Sequence, residues 1–127
     1  MVNAVVLLFA SPLPQPEVPI VRELHLASVV PGPSKSQFDI YINGSRVQEI
    51  RSTRKLNLTP HLRSGLNKID IWYDAWNGKF GLFHPSTLKL SDGSAKGARE
   101  LAWIRANIDN PRGSHRVLLR FEPSTPR

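Results

Sequence analysis

Residues 38–73 constrain the fold most tightly. Phe38, Ile40 and Ile42 alternate with Asp39 and Tyr41 up to Asn43-Gly44. A two-residue Asn-Gly step after strict alternation is the strongest short-range signal for a β-hairpin, because both central residues of a type I′ turn need positive φ. After an Arg-rich return, Leu56 and Leu58 alternate again, and residues 59–65 (TPHLRSG) read as a turn. Ile69, Ile71 and Tyr73 then share one face of a strand, with Lys68, Asp70 and Trp72 on the other. Three or four antiparallel strands of this kind need a second layer over their apolar face, which points to an all-β, jelly-roll-like antiparallel sandwich.

The flanking segments follow the same period. Ile20, Leu24 and Leu26 are expected on one face of a first strand, with Glu23 and His25 on the other, and Pro31-Gly32-Pro33 ends it. Val47 and Ile50 fall out of a two-residue register, which predicts a bulge or bend after the Asn43-Gly44 turn. Leu88 and Leu90 mark a short strand before the 91–94 loop. Residues 98–108 carry two patterns. Ala102, Ile104, Ala106 and Ile108 alternate as a strand, whereas Leu101, Ile104 and Ile108 share a helical face that Asp92 or Ser94 could cap. The strand is favoured, because residues 109–113 (DNPRG) form a good turn and Val117, Leu119 and Phe121 alternate after it. The last two strands would then pair as a hairpin. Domain boundaries follow: a proline-rich arm or edge strand over 1–19, a sandwich over 20–123 and a tail over 124–127.

The N-terminal segment joins an apolar run, Val5, Val6, Leu7, Leu8 and Phe9, to Pro12, Pro14, Pro16 and Pro19. The run is far shorter than the roughly 20 residues that span a bilayer, and it lacks the positive flank of a secretory signal. Spaced prolines cannot donate a regular ladder of hydrogen bonds, so they act as an extended spacer or a loop across one end of the sandwich. Val5 to Phe9 accordingly read first as an edge strand of the domain and second as an extended arm that docks on another subunit, which makes them a candidate protein interface; a degenerate signal is the remaining alternative.

Chemistry finds few footholds. The chain has no cysteine, and His25, His61, His84 and His115 are not spaced as a base or ligand set, so neither a catalytic residue nor a metal site nor a cofactor is expected. Asp70 and Asp74 have simpler places at a strand face and a turn than as a glycosidase pair. Seventeen Lys and Arg against ten Asp and Glu give a formal charge of +7, which favours anionic partners at long range. The cations are scattered. Arg116 and Arg120 fall on the outward face of the last strand, where Arg105 would join them across the expected hairpin as a stripe for an anionic partner. Residues 74–83 (DAWNGKFGLF) combine rings with glycines. Trp76, Phe80 and Phe83 either plug one end of the sandwich or stack on a sugar, with Asp74 and Asn77 supplying polar contacts.

The segments Ile40-Tyr41-Ile42-Asn43-Gly44 and 56–71 (LNLTPHLRSGLNKIDI) resemble the galactose-binding-like jelly-roll domain at the start of family 2 glycoside hydrolases. In that family a strand ends in Asn-Gly, the next runs into a Thr-x-x-Leu turn, and a Gly-Asn pair opens a long central strand; here Leu66 separates Gly65 from Asn67. The likeness runs over about a quarter of the chain. It implies a β-sandwich that is accessory rather than catalytic, since the family's catalytic carboxylates lie in a separate barrel. The expected function is noncatalytic protein association with other protein subunits, as a homo-oligomer or a larger assembly such as a viral particle. Carbohydrate binding by the 74–83 segment is the alternative, and nucleic-acid binding comes third.

Overall fold

The computed structural model describes residues 18–32, 36–75 and 84–123. Two sheets pack face to face in a β-sandwich compatible with a jelly roll. The strands are β1 (Ile20–Val21), β2 (Leu24–Val29), β3 (Gln37–Ile42), β4 (Ser45–Ile50), β5 (Arg54–Asn57), β6 (Gly65–Asp74), β7 (Ser86–Asp92), β8 (Arg99–Ala106) and β9 (Arg112–Phe121), with a 3₁₀ turn at Thr59–His61. The first sheet has the order β1-β9-β6-β3-β4 and the second β5-β2-β7-β8. All pairs are antiparallel except β1 with β9. The segments holding Val5, Val6, Leu7, Leu8 and Phe9, and Trp76, Asn77, Phe80 and Phe83, lie outside the described residues, as does the tail over 124–127.

The central hairpin forms as the alternation requires. Asn43 and Gly44 have φ of 52° and 89°, the paired positive values of a type I′ turn. The bulge falls on β4. Ile40 pairs with Gln48 and Tyr41 with Arg46, so Val47 is the extra residue. β6 is paired with β3 on one side and along its whole length with β9 on the other. Phe38, Ile40, Ile69, Ile71 and Leu119 from this sheet meet Leu24, Leu26, Leu88 and Leu90 from the other, all essentially inaccessible to solvent. Burying a side chain of this size contributes about 1.5–3 kcal/mol.

Three expectations change. Ile20 does not share a face with Leu24 and Leu26. It is 46% exposed on the outer face of the first sheet, and Val21 enters the core instead. The chain crosses between sheets at Arg22 and Glu23, whose backbone amides both donate to Asp92 Oδ1 at 3.0 and 3.2 Å. Residues 99–106 form a strand, with Ala102, Ile104 and Ala106 buried, but Ile108 is exposed in the following turn. The closing hairpin is absent among the described strands. β8 is an edge of the second sheet and β9 lies between β1 and β6 in the first. The turn between them is closed by Asn107, which takes the amides of Asp109 and Asn110 on its side chain at 3.0 and 2.9 Å.

Candidate functional site

The outer face of the first sheet falls into three zones that differ in character. At one end, the register aligns Ile20, Arg120 and Leu66, followed by Leu118 beside Lys68. Ile20, Leu66 and Leu118 are 44–46% exposed, so β1, β6 and β9 together present an apolar patch that no single strand contains. Arg63, Lys68 and Arg120 surround it, with no carboxylate within ion-pair distance among the described residues. In the middle, Arg116 Nε donates to Asp70 Oδ1 at 2.8 Å, which neutralises that row. At the far end Arg112 Nε donates to Asp74 Oδ1 at 3.0 Å, and Trp72 stands more than half exposed between Asp39 and Ser114.

The far end is concave. Gln37, Asp39, Trp72, Tyr73, Asp74, Arg112 and Gly113 line a groove of about 450 Å³. Tyr73 lies over Gly113, its cross-strand neighbour, with the phenol donating to Asn110 Oδ1 at 3.0 Å. The Gln37 amide donates to both Asp39 carboxylate oxygens at 3.1 Å. A flat ring beside oriented carboxylates, an amide and a guanidinium is the chemistry that binds a polar ring such as a sugar.

β9 also exposes backbone. Among the described residues only β1 lies along its far edge, where Arg120 N donates to Pro19 O and Glu122 N to Val21 O. By alternation, the amides of Ser114, Arg116 and Leu118 point out of the sheet along the same edge. An edge of this kind is a template for another strand.

The residues expected to act together are distributed as follows. Asp74 sits in the Trp72 groove, and the four partners expected with it (Trp76, Asn77, Phe80 and Phe83) lie outside the described residues. Arg116 and Arg120 share the outer face of the first sheet. Arg105 does not join them: it points outward from β8, in the opposite sheet, because β8 and β9 do not pair. The exposed rings at Trp72 and Trp103 were not anticipated as site residues; the outward parity of Trp72 in β6 was the signal available for the first. Among the described residues no cluster of three or more His, Asp or Glu could hold a metal ion, and no helix is long and apolar enough to cross a membrane. Comparison of the chain with protein-family models, with curated proteins and with solved structures found no match.

Proposed function

We propose that this chain is a noncatalytic protein-interaction subunit that receives a strand of a partner along the edge of β9 that β1 leaves uncovered among the described residues. The reading rests on the alternation that, counted from Arg120 N on Pro19 O, turns the amides of Ser114, Arg116 and Leu118 to the edge beside the exposed side chains of Ile20, Leu66 and Leu118. Strand addition draws affinity from main-chain hydrogen bonds and selectivity from alternate side chains. The cations of Arg63, Lys68 and Arg120 favour an acidic partner strand, and they disfavour a two-fold contact that would set this patch against itself. The resemblance to a galactose-binding-like jelly roll supports an accessory role, and the apolar residues Val5 to Phe9 are a second candidate contact for assembly.

The edge predicts a specific result. A labelled octapeptide of alternating valine and glutamate should bind the full chain in fluorescence anisotropy, and a valine–lysine octapeptide should bind at least about tenfold more weakly. Ser114→Pro removes one edge amide while leaving pairing to β6 intact, and should weaken the first peptide about tenfold at an unchanged melting temperature. Equal binding of both peptides, or full binding by the variant, would sink strand addition. Light scattering during size-exclusion chromatography of the full chain, and of a chain lacking residues 1–19, separates self-assembly from partner binding.

A second reading rests on Trp72. The groove it shares with Asp39, Asp74 and Arg112 supports carbohydrate binding as a further role. Trp72→Ala should abolish any glycan-array signal of the wild type without a change in fold, and a signal that survives in the variant removes Trp72 from the site.

A further inference from the structure

The second sheet holds a different surface on the opposite side of the sandwich. Lys55, Ala27 and Lys89 stand in one cross-strand row on β5, β2 and β7. The two lysines are two strand spacings apart, roughly 10 Å between their Cα atoms, and the single methyl of Ala27 leaves the floor between them low. The next row sets Asn57, His25 and Ser91 side by side. Residues 93–98 then fold over this end of the sheet and bring Ser94 and Lys96 to the rim. The result is a groove of about 270 Å³ lined by His25, Lys55, Lys89, Ser91, Ser94 and Lys96, with the small residues of the loop between them.

Among the described residues none of the three lysines has a carboxylate within ion-pair distance. Like charges around one groove without a counter-charge repel one another, and a bound anion reverses the sign of that interaction. His25 Nε2 adds an independent observation, because it is buried and has no hydrogen-bond partner. The Glu23 carboxylate is its nearest acid, at 3.8 Å and largely in solvent. Glu100 stands beyond Ser91 at the end of the same row. The loop can bend this closely because Gly93 and Gly97 take φ of 97° and 86°, which other residues rarely adopt. Ser91 Oγ donates to Gly93 O at 3.0 Å and ties the loop to β7.

We propose that this groove binds a tetrahedral oxyanion, the phosphate or sulfate group of a small ester, between the ammonium groups of Lys55, Lys89 and Lys96. Three ammonium groups on separate strands and a loop can surround one such group, which accepts several charge-assisted hydrogen bonds at once. The strand-binding edge of β9 lies on the other sheet, so the two sites are independent.

Amide and histidine side-chain NMR spectra of the full chain test this directly. Inorganic phosphate, a sugar phosphate and a sulfated sugar are titrated in separate arms at constant ionic strength. Saturable shifts are expected at residues 93–98, at Ser91 and at the imidazole of His25. Preference among the three arms identifies the ester. Lys55→Gln and Lys89→Gln should each weaken binding about tenfold, the loss of one charge-assisted hydrogen bond, whereas Lys68→Gln on the opposite sheet should leave it unchanged. Shifts that spread equally to Lys68 and Arg120, or that fail to saturate, would show general attraction to a basic surface and overturn the site. Binding only to vesicles of anionic lipid, with no response to the soluble esters, would overturn it as well.

Discussion

Replacing Asn67 with leucine is expected to lower stability by about 3 kcal/mol, although the two side chains are similar in size. Asn67 is completely buried within β6. Its amide donates to the carbonyls of Arg63 and Gly65 at 2.7 and 2.9 Å. Its carbonyl oxygen accepts from the Arg63 amide at 3.0 Å and from Asn43 Nδ2 at 2.9 Å. One side chain thus closes the 63–67 turn and joins it to the Asn43-Gly44 hairpin, where Asn43 in turn accepts from Lys68 N at 3.0 Å. Leucine leaves these partners unpaired, and each buried polar group so stranded costs about 1–3 kcal/mol, the lower end applying where water can reach. Urea unfolding should show the midpoint falling by roughly 1.5–2 M for a slope near about 1.5–2 kcal/mol/M. Aspartate should fail too, because it keeps the acceptors and sets negative charge against two carbonyl oxygens. An unshifted midpoint for leucine would show that the network contributes nothing net. Asn43→Ala should then combine with Asn67→Leu less than additively, since both remove the same bond.

Valine in place of Gly113 should destabilise the domain by about 2 kcal/mol, even though valine is a strong strand former. A Cβ at this position would lie 2.5 Å from the Tyr73 hydroxyl oxygen and 2.8 Å from Cζ. The ring must therefore swing away, breaking its hydrogen bond to Asn110 and its packing on the core, and overpacking of this kind costs about 1–3 kcal/mol. The control is a double-mutant cycle. In a Tyr73→Leu background the obstacle is gone, and Gly113→Val should become neutral or stabilising in thermal or urea unfolding. An equal loss in both backgrounds would mean that the backbone at Gly113, rather than the ring above it, forbids a side chain. Because Tyr73 lines the Trp72 groove as well, the same variant should also perturb any ligand bound there.

Much of the sandwich was legible because strand alternation is a local property. Phe38, Ile40, Ile42, Ile69, Ile71 and Leu119 were expected inward and are buried. The Asn43-Gly44 turn and the irregularity near Val47 followed from chemistry within a few residues. Asn67 shows where this reasoning stopped: a polar residue at the start of an apolar strand gives no local sign that it will be buried with its hydrogen bonds made. Ile20 was misassigned because its spacing from Leu24 and Leu26 suits one strand, while the chain changes sheets between them. That change is held by Asp92, some seventy residues away in sequence.

The candidate sites divide along the same line. Asp74 could be singled out from its neighbourhood in sequence, but its groove draws on β3, β6 and β9. Nothing in the sequence marks out Lys55, Lys89 and Lys96, and only the pairing of β5, β2 and β7 together with the fold of the 93–98 loop sets them around one hollow. Arg105 illustrates the converse, since the expected hairpin would have placed it beside Arg116 and the actual topology puts it on the opposite side of the molecule.

By itself, then, the amino-acid sequence determined the fold class, the central hairpin and which residues of most strands face inward. These depend on side-chain period and on φ preferences at single turns, and both act over a few residues. Only the tertiary structure decided which sheet each strand joins, and so which exposed side chains become neighbours. An alternating strand buries its apolar face equally well in either layer of a sandwich. The choice between layers rests on long-range contacts such as the Asp92 anchor and the full-length ladder of β6 with β9, which no local pattern records.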